Sequence, residues 1–392
     1  MNVLLIESSS GGHYVSLHLK SIIKNFQNKN ISLYFLISKD TLRSENFKKI
    51  KGINKKNIFI FQKPKEPIIK NKIFFLVNQI IYYFKLRSTF NKINKKIDFI
   101  HINTLDHFDK ALAIFDTPFK NIPFSGQLNH PTFHLKKMNI KTKKKYDFLN
   151  LFFFKLSMKT KNLKTIFTID PLLKKFIKNK KSSYCNLITT LPVTANLNVS
   201  CEKNTLNKIF KNKNYYILVY GAIRENKNIL KLLKSVNNLK YENIRIIIGG
   251  KIENNFKRKL INEIKFNKKL NKKIFVFDRY LNEIETSVLF KKSNAVWLCY
   301  KNEHFTSSSV FFKAGMNNKR IIACDHGLIK YFNKIYRLGP GVDPNDDNQI
   351  SNGLNMLYKN KYRYSVKANL FKKNNDPKLI GKIIVNDTLR FT

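Results

Sequence analysis

Short apolar runs separated by polar turns recur along this chain, and most of them lead into a stretch with helical spacing. Val3–Ser8, Ile31–Ser38, Asn57–Phe61, Asp98–Asn103, Ile122–Gln127, Thr165–Asp170 and Asn186–Leu191 read as strands. Runs this short and this continuously apolar suit strands buried on both faces. Helical patterns lie between them, one starting near Tyr14, others over Ile73–Leu86 and Asp147–Met158. Strand alternating with helix predicts an α/β fold, a parallel sheet with helices on both faces.

After Leu191-Pro192 the pattern lapses into polar, Asn-rich sequence until about Asn214. It then restarts: YYILVY, IRIIIGG, KIFVFD, AVWLCY and RIIACD each precede helical spacing. From Leu354 the chain reads as helical, with Ile383–Val385 the one later stretch of strand composition. Residues 1–195 therefore form one expected domain, 196–213 a linker, 214–360 a second domain and 361–392 a helical tail packing back toward the first. Two similar α/β units joined by one linker imply a cleft between them. A chain of 392 residues suits two domains of this size. No solenoid-type repeat is visible.

Charge changes the picture less than its size suggests. Lys+Arg 74 against Asp+Glu 25 gives +49, a balance that ordinarily points to nucleic acid or an anionic membrane. The cations are overwhelmingly Lys, dispersed among Asn, Ile and Phe, as drift toward an AT-rich composition would leave them. No localised basic face with base-stacking aromatics is apparent, so no nucleic-acid partner is expected. The field still acts on anionic surfaces. Cys185, Cys201, Cys299 and Cys324 show no CxxC pairing or metal spacing, which suits a reduced cytosol. The chain enters its first strand without a leader pattern. The apolar runs Ile73–Phe84 and Phe148–Phe154 are too short to span a bilayer. With their basic flanks they suit either core helices or peripheral contact with an anionic membrane.

Candidate chemistry gathers where strands end. Gly221 closes the run Tyr215–Tyr220, and Arg224 and Lys227 stand between it and the next helix. Open α/β sheets bind ligands at this edge, and two fixed cations there suit a phosphate or diphosphate. Gly11 and Gly12 sit between the first strand and its helix, where backbone amides can approach an anion; His13 beside them is an acceptor-side candidate or a turn cap. Gly249 and Gly250 end the second strand of the later half, where a simple turn would also use glycine. Arg279, Tyr280 and Glu283, after the strand ending near Asp278, join them as candidate nucleotide contacts. Ser307, Ser308 and Ser309 precede an apolar helical run, serving as N-cap types or as a second diphosphate clamp. His101, Asp106 and His107 follow one strand of the first half, and His130 and His134 the next. A histidine at a strand's carboxyl end suits proton transfer or hydrogen bonding, and His101 and Asp106 are candidates on the acceptor side. His130 and His134 bracket Pro131 without the acid of HExxH, so no metal site is expected. Asp346 and Asp347 after Pro344 read as a helix N-cap.

The order of these pieces resembles a retaining glycosyltransferase of the GT-B fold, in the large family 4, glycosyl transferases group 1. Gly221, Ile223, Arg224 and Lys227 match that family's G-x-I-R-x-x-K grip on a sugar-nucleotide diphosphate. IIIGG, the strand ending near Asp278, and AVWLCY with its Ser-rich helix start follow in order; Asp325 and Gly327 in KRIIACDHG, then Gly339 and Asp343, fall in matching places. The likeness covers about Tyr215–Leu357, and the first half matches through SSSGGH and His130. It implies two Rossmann-like α/β/α domains with parallel sheets facing a central cleft. It further implies sugar transfer, with retention, from a nucleoside-diphosphate sugar to a glycan or lipid-linked acceptor, in cell-surface polysaccharide or lipopolysaccharide assembly in the cytoplasm, peripheral to the inner face of the membrane. His130, Arg224 and Lys227 would be catalytic. Gly11, Gly12 and Ser307–Ser309 would add diphosphate contacts, and no metal or other cofactor is expected. The family's paired-glutamate motif is not intact: its first position falls at Phe305, with Glu303 close by, and its second, which usually binds the ribose, is Lys313. A sugar-nucleotide epimerase, an inactive donor-binding relative and a basic nucleic-acid-binding protein are the alternatives.

Overall fold

The computed structural model describes residues 1–9, 14–27, 29, 31–64, 72–129, 131–138, 147–180, 182–193, 195, 205–211, 213–239, 241–266, 271–360 and 367–391. The chain divides into two compact units. The first runs to Val193 and includes the chain from Asp376 onward; the second runs from 194 to Asn375.

The strands of the first unit are β1 (Asn2–Glu7), β2 (Ser32–Ser38), β3 (Ile58–Phe61), β4 (Phe99–Ile102), β5 (Phe124–Gln127), β6 (Leu163–Thr168) and β7 (Ile188–Thr190). They form a seven-stranded sheet in the order β3-β2-β1-β4-β5-β6-β7, with every neighbouring pair parallel. Its helices are α1 (Lys20–Gln27), α2 (Lys39–Arg43), α3 (Glu45–Lys48), α4 (Lys72–Asn91), α5 (Asp109–Phe115), α6 (Asp147–Ser157) and α7 (Pro171–Asn179). The chain enters α1 through a wide π turn at Tyr14–Leu19.

In the second unit β8 (Tyr215–Tyr220), β9 (Ile244–Gly249), β10 (Ile274–Phe277), β11 (Ala295–Leu298), β12 (Arg320–Cys324) and β13 (Gly341–Val342) form a six-stranded sheet. Its order is β10-β9-β8-β11-β12-β13, again parallel throughout. The helices are α8 (Ile229–Asn238), α9 (Asn254–Phe266), α10 (Glu283–Lys292), α11 (Ser309–Met316), α12 (Gly327–Tyr336), α13 (Asp347–Tyr358) and α14 (Lys367–Asn374). The central strands are buried on both faces: Ile217, Leu218, Val219, Ile246, Ile247 and Ile248 are all essentially inaccessible. That double burial is why they read as unbroken apolar runs. In each sheet the order reverses beside the first strand, at β1/β4 and β8/β11, and such switch points open crevices at the carboxyl ends.

Asp346 caps α13 by accepting from the N–H groups of Asn348 and Gln349. Ile383–Val385 is helical, not a strand: it lies in α15 (Pro377–Thr388), started by an Asp376 cap and a proline in the first turn. β-branched residues tolerate a helix when one face is buried, and α15 packs on α1. Gly381 permits the approach, since a Cβ there would stand 2.2 Å from the Ser21 carbonyl oxygen. Among the described residues no helix is long and apolar enough to cross a membrane.

Candidate functional site

β8 ends on Tyr220, and Gly221 turns the chain with φ +97°, a conformation that favours glycine. Its N–H donates to the Gly249 carbonyl at 3.0 Å. Next along, Gly250 has φ +141°, and a Cβ on it would lie 1.9 Å from the Gly221 carbonyl oxygen. The two turns thus rest backbone on backbone. Beyond them Ile223 pairs with Ile252, carrying the sheet past its last residues. The result is a pocket of about 260 Å³ at the carboxyl ends of β8, β9 and β10, lined among others by Tyr220, Gly221, Arg224, Gly250, Glu253 and Tyr280.

Lys227 lies under this turn and is only 8 % exposed. Its Nζ donates to the Tyr220 carbonyl at 2.8 Å and to Tyr300 Oη at 3.1 Å, and lies 4.8 Å from the Tyr300 ring centre. Tyr300 Oη in turn meets Ser308 Oγ at 3.1 Å, and Ser308 caps α11 by accepting from the Val310 N–H. The Lys227 carbonyl is held by Trp297 Nε1 at 2.7 Å. Asn228, left-handed at φ 57°, starts α8 and donates its amide to the Pro344 carbonyl. Among the described residues no carboxylate lies within ion-pair distance of Lys227. A buried ammonium held only by neutral acceptors is under-compensated, and an anion at Gly221 would complete it: Nζ lies 3.8 Å from where a Gly221 Cβ would stand.

Two more cations stand nearby. The Arg224 side chain is 60 % exposed, with Nε 3.8 Å from Glu253 Oε1, a loose contact that leaves the guanidinium accessible. Lys313, on α11, places Nζ 5.0 Å from the Tyr220 ring centre. His304 packs edge-on to Tyr300, and burial first, then the Lys227 ammonium, lowers its imidazole to about 4. Tyr220, Tyr300 and His304 were not candidates from sequence; only their places next to strand ends could have marked them.

The remaining expected residues fall in several places. Gly249 supplies its carbonyl to Gly221, whereas Gly250 and Tyr280 line the pocket. Arg279 makes a paired contact with Glu285, at 2.9 and 2.5 Å, and so braces the loop that carries Tyr280. Glu283 opens α10. Ser308 is the helix cap, with Ser307 and Ser309 beside it, and these serines are not among the lining residues.

In the first unit Gly11, Gly12, His13 and His130 lie outside the described residues. His101 is fully buried on β4, where Nδ1 meets Ser125 Oγ at 2.9 Å, and burial lowers it to about 3. It belongs to an interior chain. Gln127 Nε2 lies 3.3 Å from His101 Nε2, and Gln127 Oε1 lies 3.0 Å from His18 Nδ1. Gln127 also donates to Asn103 Oδ1, and Asn103 donates to the Glu7 carboxylate. Burial raises Glu7 above the usual carboxylate range. Asp106 accepts the Asn129 N–H at 2.9 Å, fixing the backbone just before position 130. His134 Nε2 meets Asp170 Oδ2 at 3.0 Å, both buried. Among the described residues no group of three or more His, Cys, Asp or Glu could hold a metal ion.

Comparison with known proteins agrees with this layout. Residues 202–375 match the model of the family described as glycosyl transferases group 1. No curated protein matches the chain in sequence. Among solved structures, HepE from Anabaena in complex with UDP superposes with a TM-score of 0.67 at 13% identity, over 98% of this chain and 99% of that one. Sucrose-phosphate synthase from Thermosynechococcus elongatus gives 0.68 at 12%, over 98% and 97%. The lipopolysaccharide outer core galactosyltransferase WaaB, in its apo form, gives 0.62 at 13%, over all of both chains.

Proposed function

We propose, for a chain of GT-B fold that carries a glycosyl transferases group 1 domain, that it moves a sugar from a nucleoside-diphosphate sugar to a glycan or lipid-linked acceptor. The observation that carries this reading is Lys227: a buried ammonium without a carboxylate partner among the described residues, beneath a glycine-floored pocket that also presents Arg224.

Transfer of a glycosyl group leaves a diphosphate whose charge grows as the bond breaks, and a catalyst must stabilise that charge more than it stabilises the ground state. Lys227 is fixed by two hydrogen bonds, so little reorganisation is needed when the charge develops. Arg224 offers a planar donor set matched to phosphate oxygens. The amides at the start of α11, ordered by Ser308, would add a partial positive charge. In this reading these groups do the work, and no metal takes part. Tyr280, which lines the pocket, would meet the base. His130 would contact the donor sugar, and Asp106 would orient its backbone by way of Asn129. Gly11 and Gly12 would approach the diphosphate, with His13 beside the acceptor. Retention, a role in cell-surface polysaccharide or lipopolysaccharide assembly, and work at the cytoplasmic face of the membrane belong to the same proposal.

HepE was solved with UDP, so UDP is the first nucleotide to try. The protein is heated with UDP, GDP, ADP, dTDP or CMP and their sugars. A ligand that binds only the native state raises the unfolding temperature. One nucleotide should raise it, and Arg224→Ala should reduce the shift. Release of free sugar from that donor would distinguish a transferase from an inactive relative, and an epimerised donor would mark an epimerase. No shift with any nucleotide would sink the reading.

A further inference from the structure

Among the described residues that line the pocket at β8, β9 and β10, Glu253 is the one carboxylate. Tyr280 brings an aromatic ring to the same pocket, and Arg224 and Lys251 bring cations. Like charge makes a carboxylate a poor neighbour for a diphosphate. Its place in such a site calls for another, uncharged part of the ligand.

The Glu253 backbone is fixed on both sides. Its N–H donates to the Ile223 carbonyl at 2.9 Å, on the arm that carries the chain past Gly221. Its carbonyl accepts the Phe256 and Lys257 N–H groups, each at 3.0 Å, and so starts α9. The side chain is held far less. It is 47 % exposed, and among the described residues its one ion contact is Arg224 Nε at 3.8 Å. The carboxylates around it are engaged. Glu225 holds Lys259 and Lys301 at 3.1 and 3.0 Å. Asp278 holds Lys257 at 2.7 Å and accepts the Ile252 N–H at 2.8 Å, and Glu285 grips Arg279 at 2.5 Å. Glu253 is therefore the carboxylate of this edge with acceptor capacity left.

An ionised carboxylate only accepts, through two oxygens set side by side. The neutral group that matches it is a pair of neighbouring hydroxyls, one O–H donating to each oxygen. Cation and carboxylate stand together in Arg224 and Glu253, as phosphate and diol stand together in a ribose 5′-diphosphate. Lys251, drawn to Asp278 at 3.5 Å, and Lys313, whose ammonium lies over the Tyr220 ring, are donors alone and cannot take this part.

We infer that Glu253 binds the 2′- and 3′-hydroxyls of the donor nucleotide and so selects ribonucleotides over 2′-deoxyribonucleotides. The inference rests on the donor reading above and adds to it the sugar of the nucleotide. Arg224 gives up only a loose contact when the diol engages Glu253, and its guanidinium stays free for the phosphates.

Calorimetric titration tests this by comparing UDP, GDP and ADP with their 2′-deoxy forms on the unaltered protein, on Glu253→Ala and on Glu253→Gln. The unaltered protein should bind the ribonucleotide of its base about tenfold more tightly, the worth of a hydrogen bond to a charged group. In Glu253→Ala the two forms should bind alike, and Glu253→Gln, which keeps one acceptor, should restore part of the preference. Melting curves of both variants should match that of the unaltered protein, because the altered side chain is half exposed. A carboxylate that merely steadied Arg224 would change both affinities together and leave their ratio intact. That result overturns the inference, as does equal binding of the two forms by the unaltered protein, and either leaves the donor reading standing. Absence of binding by every nucleotide sinks the donor reading and the inference with it.

Discussion

Gly250 and Gly221 meet backbone to backbone: a Cβ on Gly250 would stand 1.9 Å from the carbonyl oxygen of Gly221. This contact sets the floor of the pocket, and it leaves no room for any side chain. Gly250→Ala combines a clash with backbone atoms and a strained φ of +141°. It should destabilise the second unit by about 3–5 kcal/mol, the upper range for single substitutions. Urea unfolding at equilibrium measures this directly. A loss below about 1 kcal/mol would mean that the turn opens without effort.

Lys227→Met should separate binding from folding. The ammonium has neutral partners in Tyr220 and Tyr300, so its loss from the unliganded protein should cost about 1 kcal/mol. The nucleoside-diphosphate affinity should fall by about ten- to hundredfold, the worth of a charge-assisted hydrogen bond. Calorimetric titration beside a melting curve tests both halves.

Glu285 serves two structures at once. It completes the capping box with Asn282 and grips the Arg279 guanidinium, so Glu285→Ala should cost about 1–2 kcal/mol through the lost cap. The loop bearing Tyr280 loses its brace as well, and nucleotide affinity should weaken. Glu285→Gln retains the cap oxygen and should recover most of the stability.

Acid should weaken the fold through histidines that are held neutral. Burial lowers His18 from 6.5 to about 4, His101 to about 3 and His304 to about 4. Above pH 6.5 these groups are neutral folded or unfolded, and the pH has no purchase on them. As pH falls from 6.5 toward 4, the unfolded chain takes up protons that the folded chain refuses, so stability drops. Glu7, raised by burial, has the opposite sign and offsets part of this loss. Urea midpoints across that window should fall with acidity, and less so in His18→Asn.

The fold was legible because its strands are buried on both sides. β8 and β9 could be read almost to the residue, and the Asn-rich interval before Tyr215 marked the restart. β13 was not legible, since a two-residue strand carries no period. Ile383–Val385 misled for the opposite reason: its β-branched residues speak for a strand, and only the Asp376 cap and the seat on α1 make it a helix. At the site, Arg224 and Lys227 were visible because strand, glycine and cation follow one another in sequence. Tyr300 and His304 were not, because Tyr300 meets Lys227, and His304 packs on Tyr300, only after the sheet has assembled. The exposed rings of α4 and α6 were read equally as core or surface. A helix greasy on every side does not announce which side the sheet will cover.

The seat of α15 on α1 sets an order of events during synthesis. Gly381 N–H donates to Ser21 Oγ across 360 residues of sequence, and Ser21 Oγ donates to the Pro377 carbonyl. The ribosome must therefore finish the whole second unit before the first receives its last helix. The sheet of the second unit, which lies wholly between residues 215 and 342, can close as it emerges, while the first unit waits with one flank of α1 bare. A chain released before Asp376 would carry a finished β8–β10 pocket and an unfinished first unit, and that first unit is where its aggregation should begin.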